Sequence, residues 1–335
     1  VERELTTGKR RIWLVAACGL ALVAVSVAQE RSKESIPATV SGFEIPLGDE
    51  RVAFFVEGDP SVNGPLVISL HRNESTAFPI VRELLAARPG RFIGIRTPGD
   101  RRLNLKGGSR AFSIDPNRIF SRAGIEADLR KFSFFKEEIA RGIETFASEY
   151  VKQAGLAPGR VVIAVHNNTD GGYSLDSYLK GGAEEAAAAE VHRVEAIDPD
   201  DFVLVTHPRH FAALKEAGFN VILQDNAGAP DDGSLSVYCG KQGIDYFNVE
   251  AEFGNRDEQA RMLRAAFALA AGEALAPAKL PVARPIESGA VPITPRPTGG
   301  DRVPPGDGVE TPEAPAGKPL KRPGIRLLSP KRPDL

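Results

Sequence analysis

Leu66-Val-Ile-Ser-Leu-His-Arg-Asn-Glu-Ser-Thr-Ala77 runs from an apolar stretch straight into an imidazole and a carboxylate. Leu66, Val67, Ile68 and Leu70 follow the breaker Asn63-Gly64-Pro65 and precede a polar turn. A short apolar run bounded in this way reads as a buried central strand of a parallel sheet. His71 and Glu74 stand at its carboxyl end. Residues three apart in a tight turn or a first helical turn share a face, so both side chains reach one cation. Imidazole nitrogen and carboxylate oxygen both bind zinc, at about 2.0 to 2.2 Å. Taken alone, the H-x-x-E pair also describes a solvated helical face. Its position matters because open α/β sheets gather their ligands at the carboxyl ends of strands.

Outward from this stretch, strand and helix patterns alternate. Residues 52–56 and 92–95 read as strands, and residues 79–87 as a helix with Pro79 in its first turn and Ile80, Val81, Leu84 and Leu85 on one face. The pattern predicts an α/β fold with a mixed, largely parallel central sheet flanked by helices. Residues 97–120 are rich in Gly, Arg and Asn and read as a long loop of the kind that carries function. The loop ends in Asn117-Arg118 between apolar neighbours. That arginine either pairs with a nearby acid or cap, or offers a planar, bidentate fork to a carboxylate. Residues 124–156 carry one long helical pattern whose aromatics, Phe132, Phe134, Phe135, Phe146 and Tyr150, read as core. Residues 160–165 then form a second buried strand, and it too ends in a histidine, His166. Three protein ligands with one open position is the catalytic zinc pattern.

Residues 184–190, a run of Ala and Glu, read as a solvated helix or a mobile flap. Residues 201–206 and 220–224 look like strands with a helix over 211–217 between them. His207 and His210 suit surface or supporting roles, since Pro208 gives them no shared face with the main site, and His192 lies in a charged segment. In residues 245–254, strand alternation sets Glu250 and Glu252 on one face, opposite Phe247, Val249 and Ala251. Two carboxylates on a buried face are costly, so at least one meets metal, arginine or water; otherwise they are solvent-facing acids at a strand end.

His71-Arg-Asn-Glu74, Asn117-Arg118, His166 and a glutamate on a late strand, in this order, resemble the zinc carboxypeptidase and succinylglutamate desuccinylase superfamily over residues 66–254. The resemblance implies a zinc ion (Zn2+) held by His71, Glu74 and His166. It implies that Glu250 or Glu252 takes a proton from water and delivers it to a leaving amine. It gives Asn117 and Arg118 the substrate's free carboxylate, and Arg102 or Arg101 the oxyanion, a donor role worth about 3 to 4 kcal/mol. Arg96 and Arg110 share the same loop. No tyrosine aligns with the mobile substrate-contacting tyrosine of the digestive-type carboxypeptidases, Tyr238 falling too close to Glu250.

The ends differ from the centre. Lys9-Arg10-Arg11, an apolar run and small residues at Ser26-Val27-Ala28 predict a signal peptide over residues 1–28, hence a periplasmic or secreted protein. An uncleaved segment would instead anchor the chain to a membrane. Residues 39–275 form the predicted catalytic domain and residues 276–335 a Pro-rich disordered tail. Of two cysteines, Cys18 lies in the signal, so Cys239 has no internal partner and the fold rests on its core. A net charge of -2 gives no pull toward nucleic acid. The function predicted is zinc-dependent hydrolysis of an amide bond near a free carboxylate, in a peptide or a cell-wall (peptidoglycan stem) peptide. The alternatives are a deacylase of N-acyl amino acids and a non-catalytic binding module that keeps the fold.

Overall fold

Residues 41–59, 63–97 and 101–277 are described by the computed structural model; the predicted signal peptide and all but the first two residues of the predicted Pro-rich tail lie outside them. In chain order the elements are β1 (Gly42–Leu47), β2 (Glu50–Gly58), β3 (Leu66–Ser69), α1 (Phe78–Ala87), β4 (Arg91–Ile95), β5 (Leu103–Gly107), β6 (Arg110–Ile114), α2 (Arg122–Phe132) and α3 (Glu137–Ala154). Then come β7 (Val161–Asn168), β8 (Ala188–His192), β9 (Phe202–Val205), α4 (Pro208–Glu216), β10 (Val221–Gln224), α5 (Leu235–Gln242), β11 (Asp245–Glu252) and α6 (Arg256–Ala270).

Nine strands make one sheet in the order β1-β2-β4-β3-β7-β11-β9-β10-β8. Its centre, β4-β3-β7-β11, is parallel throughout. Antiparallel pairing appears only outside that centre, at β1-β2, β2-β4, β11-β9 and β10-β8. The fold is therefore mixed α/β, with the parallel part where the motifs lie. Alternate side chains of the central strands feed two layers. Leu66, Ile68, Val162, Ala164 and Tyr246 pack under α2, α3 and α5 with Ile125, Ile143, Phe146 and Leu235. Val67, Ile163, Val165, Phe247 and Val249 pack under α1, α4 and α6 with Val81, Leu214 and Leu263. Each fully buried Val, Leu, Ile or Phe among these contributes about 1.5 to 3 kcal/mol, and among the described residues no disulfide adds to that. Among the described residues, no helix is long and apolar enough to cross a membrane.

Three sequence expectations are corrected. Residues 97–120 are not one loop: they hold the β5-β6 hairpin, with Leu103, Leu105, Phe112 and Ile114 buried and Gly108 turning at φ +62°. Each strand is too short for its alternation to stand out. Residues 124–156 are two helices broken at Ser133, and Phe132 is 53 % exposed rather than core, lying under the Arg102 guanidinium 4.5 Å from its ring centre. Residues 184–190 are neither helix nor flap. A short 3-10 turn (Glu185–Ala187) leads into β8, which closes the sheet edge against β10. There, partners across the sheet override the helical preference of Ala and Glu.

Candidate metal centre and cleft

Ile68 of β3 and Ala164 of β7 are paired in parallel register, so the carboxyl ends of the two strands lie side by side. His71 leaves the first, His166 lies near the end of the second, and a tight turn in which the Glu74 N–H donates to the His71 carbonyl (3.3 Å) brings Glu74 between them. One ligand atom from each of His71, Glu74 and His166 lies within 4.8 Å of the others, and all three residues are buried. His166 Nδ1 is 2.8 Å from Glu74 Oε2. His71 Nδ1 is 2.9 Å from Glu74 Oε1, an ion-pair contact, but among the described residues that buried nitrogen has no hydrogen-bond partner in good geometry.

Asp115 orients His71, a role the sequence reading did not give it. Its Oδ1 is 2.9 Å from His71 Nε2, and it also accepts from the Asn117 N–H at 2.8 Å. A proton on Nε2, held by Asp115, leaves the Nδ1 lone pair for a metal, the usual arrangement behind a ligating histidine. Its only sequence signal is Asp115-Pro116 opening a short turn, which capping alone would explain. Burial by itself would push the His71 imidazole down, but the Glu74 and Asp115 carboxylates outweigh it and hold the pKa up at about 9. Burial opposes ionisation of Glu74 and Asp115; the neighbouring histidines for Glu74, and His71 with Arg101 for Asp115, hold both carboxyls well below the usual range. Two imidazoles and one carboxylate, buried and converging, with one nitrogen unused, fit a zinc ion.

Glu250 faces this cluster from β11, directly paired with His166 across the sheet. It is buried and accepts from Asn248 Nδ2 at 3.0 Å. Burial raises its pKa, His166 works against the rise, and Glu74 adds to it. Glu252 shares that face of the strand but sits half-buried at its end, where its N–H donates to Asp201 Oδ1 (3.0 Å); it does not line the cleft. The structure thus brings one of the two candidate acids to the metal cluster.

Of the two candidate oxyanion arginines, the structure brings Arg101 to the cleft and not Arg102. Arg102 points to α2, where Asp128 Oδ1 accepts from its Nη1 (3.0 Å) and Ser113 Oγ from its Nε (2.9 Å). Consecutive residues entering a strand face opposite ways, and it is Arg101, 49 % exposed, that turns to the site. Its Nη1 donates to Glu74 Oε1 (2.9 Å) and its Nε to Asp115 Oδ2 (3.2 Å). Arg110 lies over the Phe134 ring, on the hairpin. His207 caps α4 by accepting from the Arg209 N–H, and His210 packs on Phe247 beside Asp245, in the other layer of the fold. His192 lies in the edge strand β8.

Asn117 and Arg118 line the same cleft of about 450 Å³ as Glu74, His166 and Glu250. Asn117 Oδ1 accepts from the Leu235 N–H (2.9 Å), tying this turn to the start of α5, and Arg118 Nη1 stands 3.5 Å from Asp232 Oδ2. Gly233 fixes the junction. Its φ is +76°, and a Cβ there would come within 2.6 Å of the Arg118 carbonyl oxygen and 2.7 Å of Gly124 Cα. Gly233→Ala is therefore expected to cost about 1 to 3 kcal/mol, read as a lower denaturant midpoint, and to disturb Arg118 before it disturbs the metal cluster. Tyr173 and Tyr178, whose hydroxyls bond to each other, and Tyr246 complete the wall. The sequence offered no pattern for this, because residues 173–187 are held by turns and short 3-10 segments and not by a period. A larger hollow, about 900 Å³, lies at the other end of the central strands beside Pro65, Pro89 and Val161, and contains no histidine and no carboxylate except Glu273, which is paired with Arg88.

No family model and no curated protein matches the chain. Among solved structures, the chain is similar to the succinylglutamate desuccinylase of Chromobacterium violaceum, at 15 % identity and a TM-score of 0.38, covering 72 % of this chain and 77 % of that one. It is similar as well to the murein-tripeptide amidase of Escherichia coli O157, at 12 % identity and a TM-score of 0.39, covering 72 % of this chain and 94 % of that one. Overlaps this loose assign no residue a role, and the roles below rest on the side chains themselves.

Proposed function

We propose that the chain is an exported zinc-dependent hydrolase that cleaves an amide bond next to a free carboxylate, in a peptide or a peptidoglycan stem peptide. The observation that carries this reading is the buried His71, Glu74 and His166 cluster with Glu250 in register beside it. Zinc bound there supplies Lewis acidity to a carbonyl and to water. Glu250 is placed to accept a proton from water and return it to the leaving nitrogen, and its raised pKa suits an acid that must work in both directions. Arg118 holds the carboxylate end of the substrate, positioned by Asn117. Arg101, between Glu74 and Asp115, brings a positive charge to the side where negative charge develops on the carbonyl oxygen. A binding module needs no buried acid beside its metal, so Glu250 favours catalysis over the binding reading.

Metal content tests this directly. The purified protein is expected to carry about one zinc per chain and the His71→Ala, His166→Ala double variant none, with the metal removed by chelation restoring both hydrolysis and thermal stability when returned. A protein that takes up no zinc, and gains no thermal stability from it, would sink the reading.

A further inference from the structure

The link between α2 and α3, with the β5-β6 hairpin beside it, makes a surface that the proposed chemistry does not use. Phe132 ends α2, and at 53 % exposure it is the most exposed large apolar side chain among the described residues. Phe134 and Phe135 follow it in the link, half-buried against the core. The link is fastened to β6, where Ser133 Oγ accepts from the Ser113 N–H at 3.2 Å. Cations stand over all three rings. Arg102 and Lys131 lie 4.5 and 4.8 Å from the centre of Phe132, Arg110 lies 4.2 Å from that of Phe134, and Arg130 lies 4.2 Å from that of Phe135. Arg102 follows directly on Arg101, so this face adjoins the cleft that Arg101 lines.

Charge here is one-sided, although the chain as a whole carries -2. Residues 102–114 and 129–136 hold six cations, Arg102, Lys106, Arg110, Arg130, Lys131 and Lys136, and no acid. The acids around them are mostly engaged. Asp128 is buried against Arg102, Glu126 and Glu137 pair with Arg122, and Asp49 and Glu50 accept from the hairpin N–H groups of Gly108 and Lys106. Glu138, in the first turn of α3, is exposed. Lys106, Arg110, Lys131 and Lys136 are exposed and make no ion pair among the described residues. The negative end of α2 accounts for Arg130 and Lys131 in its last turn. It does not account for Arg110 on the hairpin, nor for an apolar ring left in water among cations.

We infer that this surface docks on a bilayer bearing anionic phospholipids, with Phe132 entering the boundary between headgroups and acyl chains and the surrounding cations meeting the lipid phosphates. The inference does not depend on the hydrolase reading. A neutral apolar partner would leave the cations unmatched, and a simple polyanion would leave the ring in water. A surface with negative charge spread over an apolar interior satisfies both. Single-stranded nucleic acid also combines phosphate with apolar faces, but a stacked base needs an open ring face, and Arg102 and Lys131 contend for that of Phe132. Each basic side chain at an anionic bilayer is worth about fivefold in partition.

The chain has one tryptophan, Trp13, in the N-terminal apolar run, a segment able to bind lipid by itself. The reporter therefore belongs on the patch: the full chain carrying Trp13→Phe and Phe132→Trp, the second an exchange at an exposed ring. With vesicles of phosphatidylcholine containing about one-third phosphatidylglycerol, its emission is expected to shift to the blue and to be quenched by lipid brominated on the acyl chain. Partition should be at least about tenfold weaker with phosphatidylcholine alone, and about tenfold weaker again or more when Arg110→Glu and Lys131→Glu are added. Zinc content should be the same in all of these proteins. A reporter that stays in water while the chain sediments with the vesicles places the contact on another segment and overturns the inference. Equal partition to the neutral vesicles, or indifference to the charge reversals, overturns it as well. An equal response to oligothymidylate in the absence of lipid would make the surface one for nucleic acid and likewise overturn the docking on lipid.

Discussion

Glu250→Gln is expected to lower kcat/KM by about 10² to 10⁴ while leaving zinc content at that of the unaltered protein, a loss of about 3 to 5 kcal/mol in the transition state. The substitution is close to isosteric, and the new amide oxygen can still accept from Asn248 Nδ2, so the wall of the cleft is kept. What is lost is the ability to take a proton. The unaltered enzyme should show the complementary signature in its pH profile. Burial, then the Glu74 charge, lift the Glu250 carboxyl above the ordinary glutamate range despite the opposing pull of His166. The rising limb of kcat/KM should consequently lie at higher pH than about 4.3, where an unperturbed glutamate titrates, and should vanish from the residual activity of the variant. Retention of a tenth of the activity would assign the proton transfer elsewhere, and loss of zinc would make Glu250 a support of the metal instead.

Zinc affinity should rise about tenfold for each pH unit up to about 9 and then level. In the metal-free protein His71 is held at about 9 by Glu74 and Asp115, against burial, so at neutral pH it carries a proton that zinc must displace. Chelator competition at pH 6 and pH 8 should differ by about 100-fold. Stability of the metal-free protein runs the other way. His71 is raised above its unfolded value of about 6.5, so its contribution is complete below that pH and is lost as pH climbs through 9. Glu74 and Asp115 are depressed, so theirs is complete above about 4 and is lost as pH falls. Thermal midpoints without zinc should therefore be best near pH 5 to 6 with respect to these three groups, while the gain from added zinc should grow toward pH 8. Asp115→Asn should cut zinc affinity by about 10- to 100-fold at pH 8, where displacing the proton is easiest, because it releases the His71 ring from its orientation. An affinity flat between pH 6 and pH 8 would show that His71 is already neutral.

The sheet centre and the metal cluster were legible because they sit in apolar runs that end abruptly. Leu66 to Leu70 and Val161 to Val165 are long enough to show burial on both faces, and each hands over at once to a histidine. Glu250 was legible only as one of a pair. Alternation puts Glu252 on the same face, and what separates them is where the strand stops and the cleft begins. Arg101 and Arg102 could not be told apart, since the choice depends on a hairpin whose strands are five residues each and whose period is correspondingly faint. Asp115 lay beyond reach for another reason: its role comes from a contact with His71 across 44 residues. Side chains placed by tertiary contact leave no periodic trace.

Arg102, set aside from the chemistry, has a bearing on which natural variants of this chain would fail. Asp128 of α2 accepts from Arg102 with its Oδ1 and from the Asp115 N–H with its Oδ2, at 3.1 Å. Asp115 in turn grips His71. Asp128 touches no ligand, does not line the cleft, and would look like an ordinary buried helix acid. A carrier of Asp128→Ala would nonetheless release the backbone of Asp115 and strand the Arg102 charge, loosening the imidazole two links away. Inactive alleles of this protein are thus to be sought along α2, on the far side of the hairpin, where screening the cleft alone would miss them.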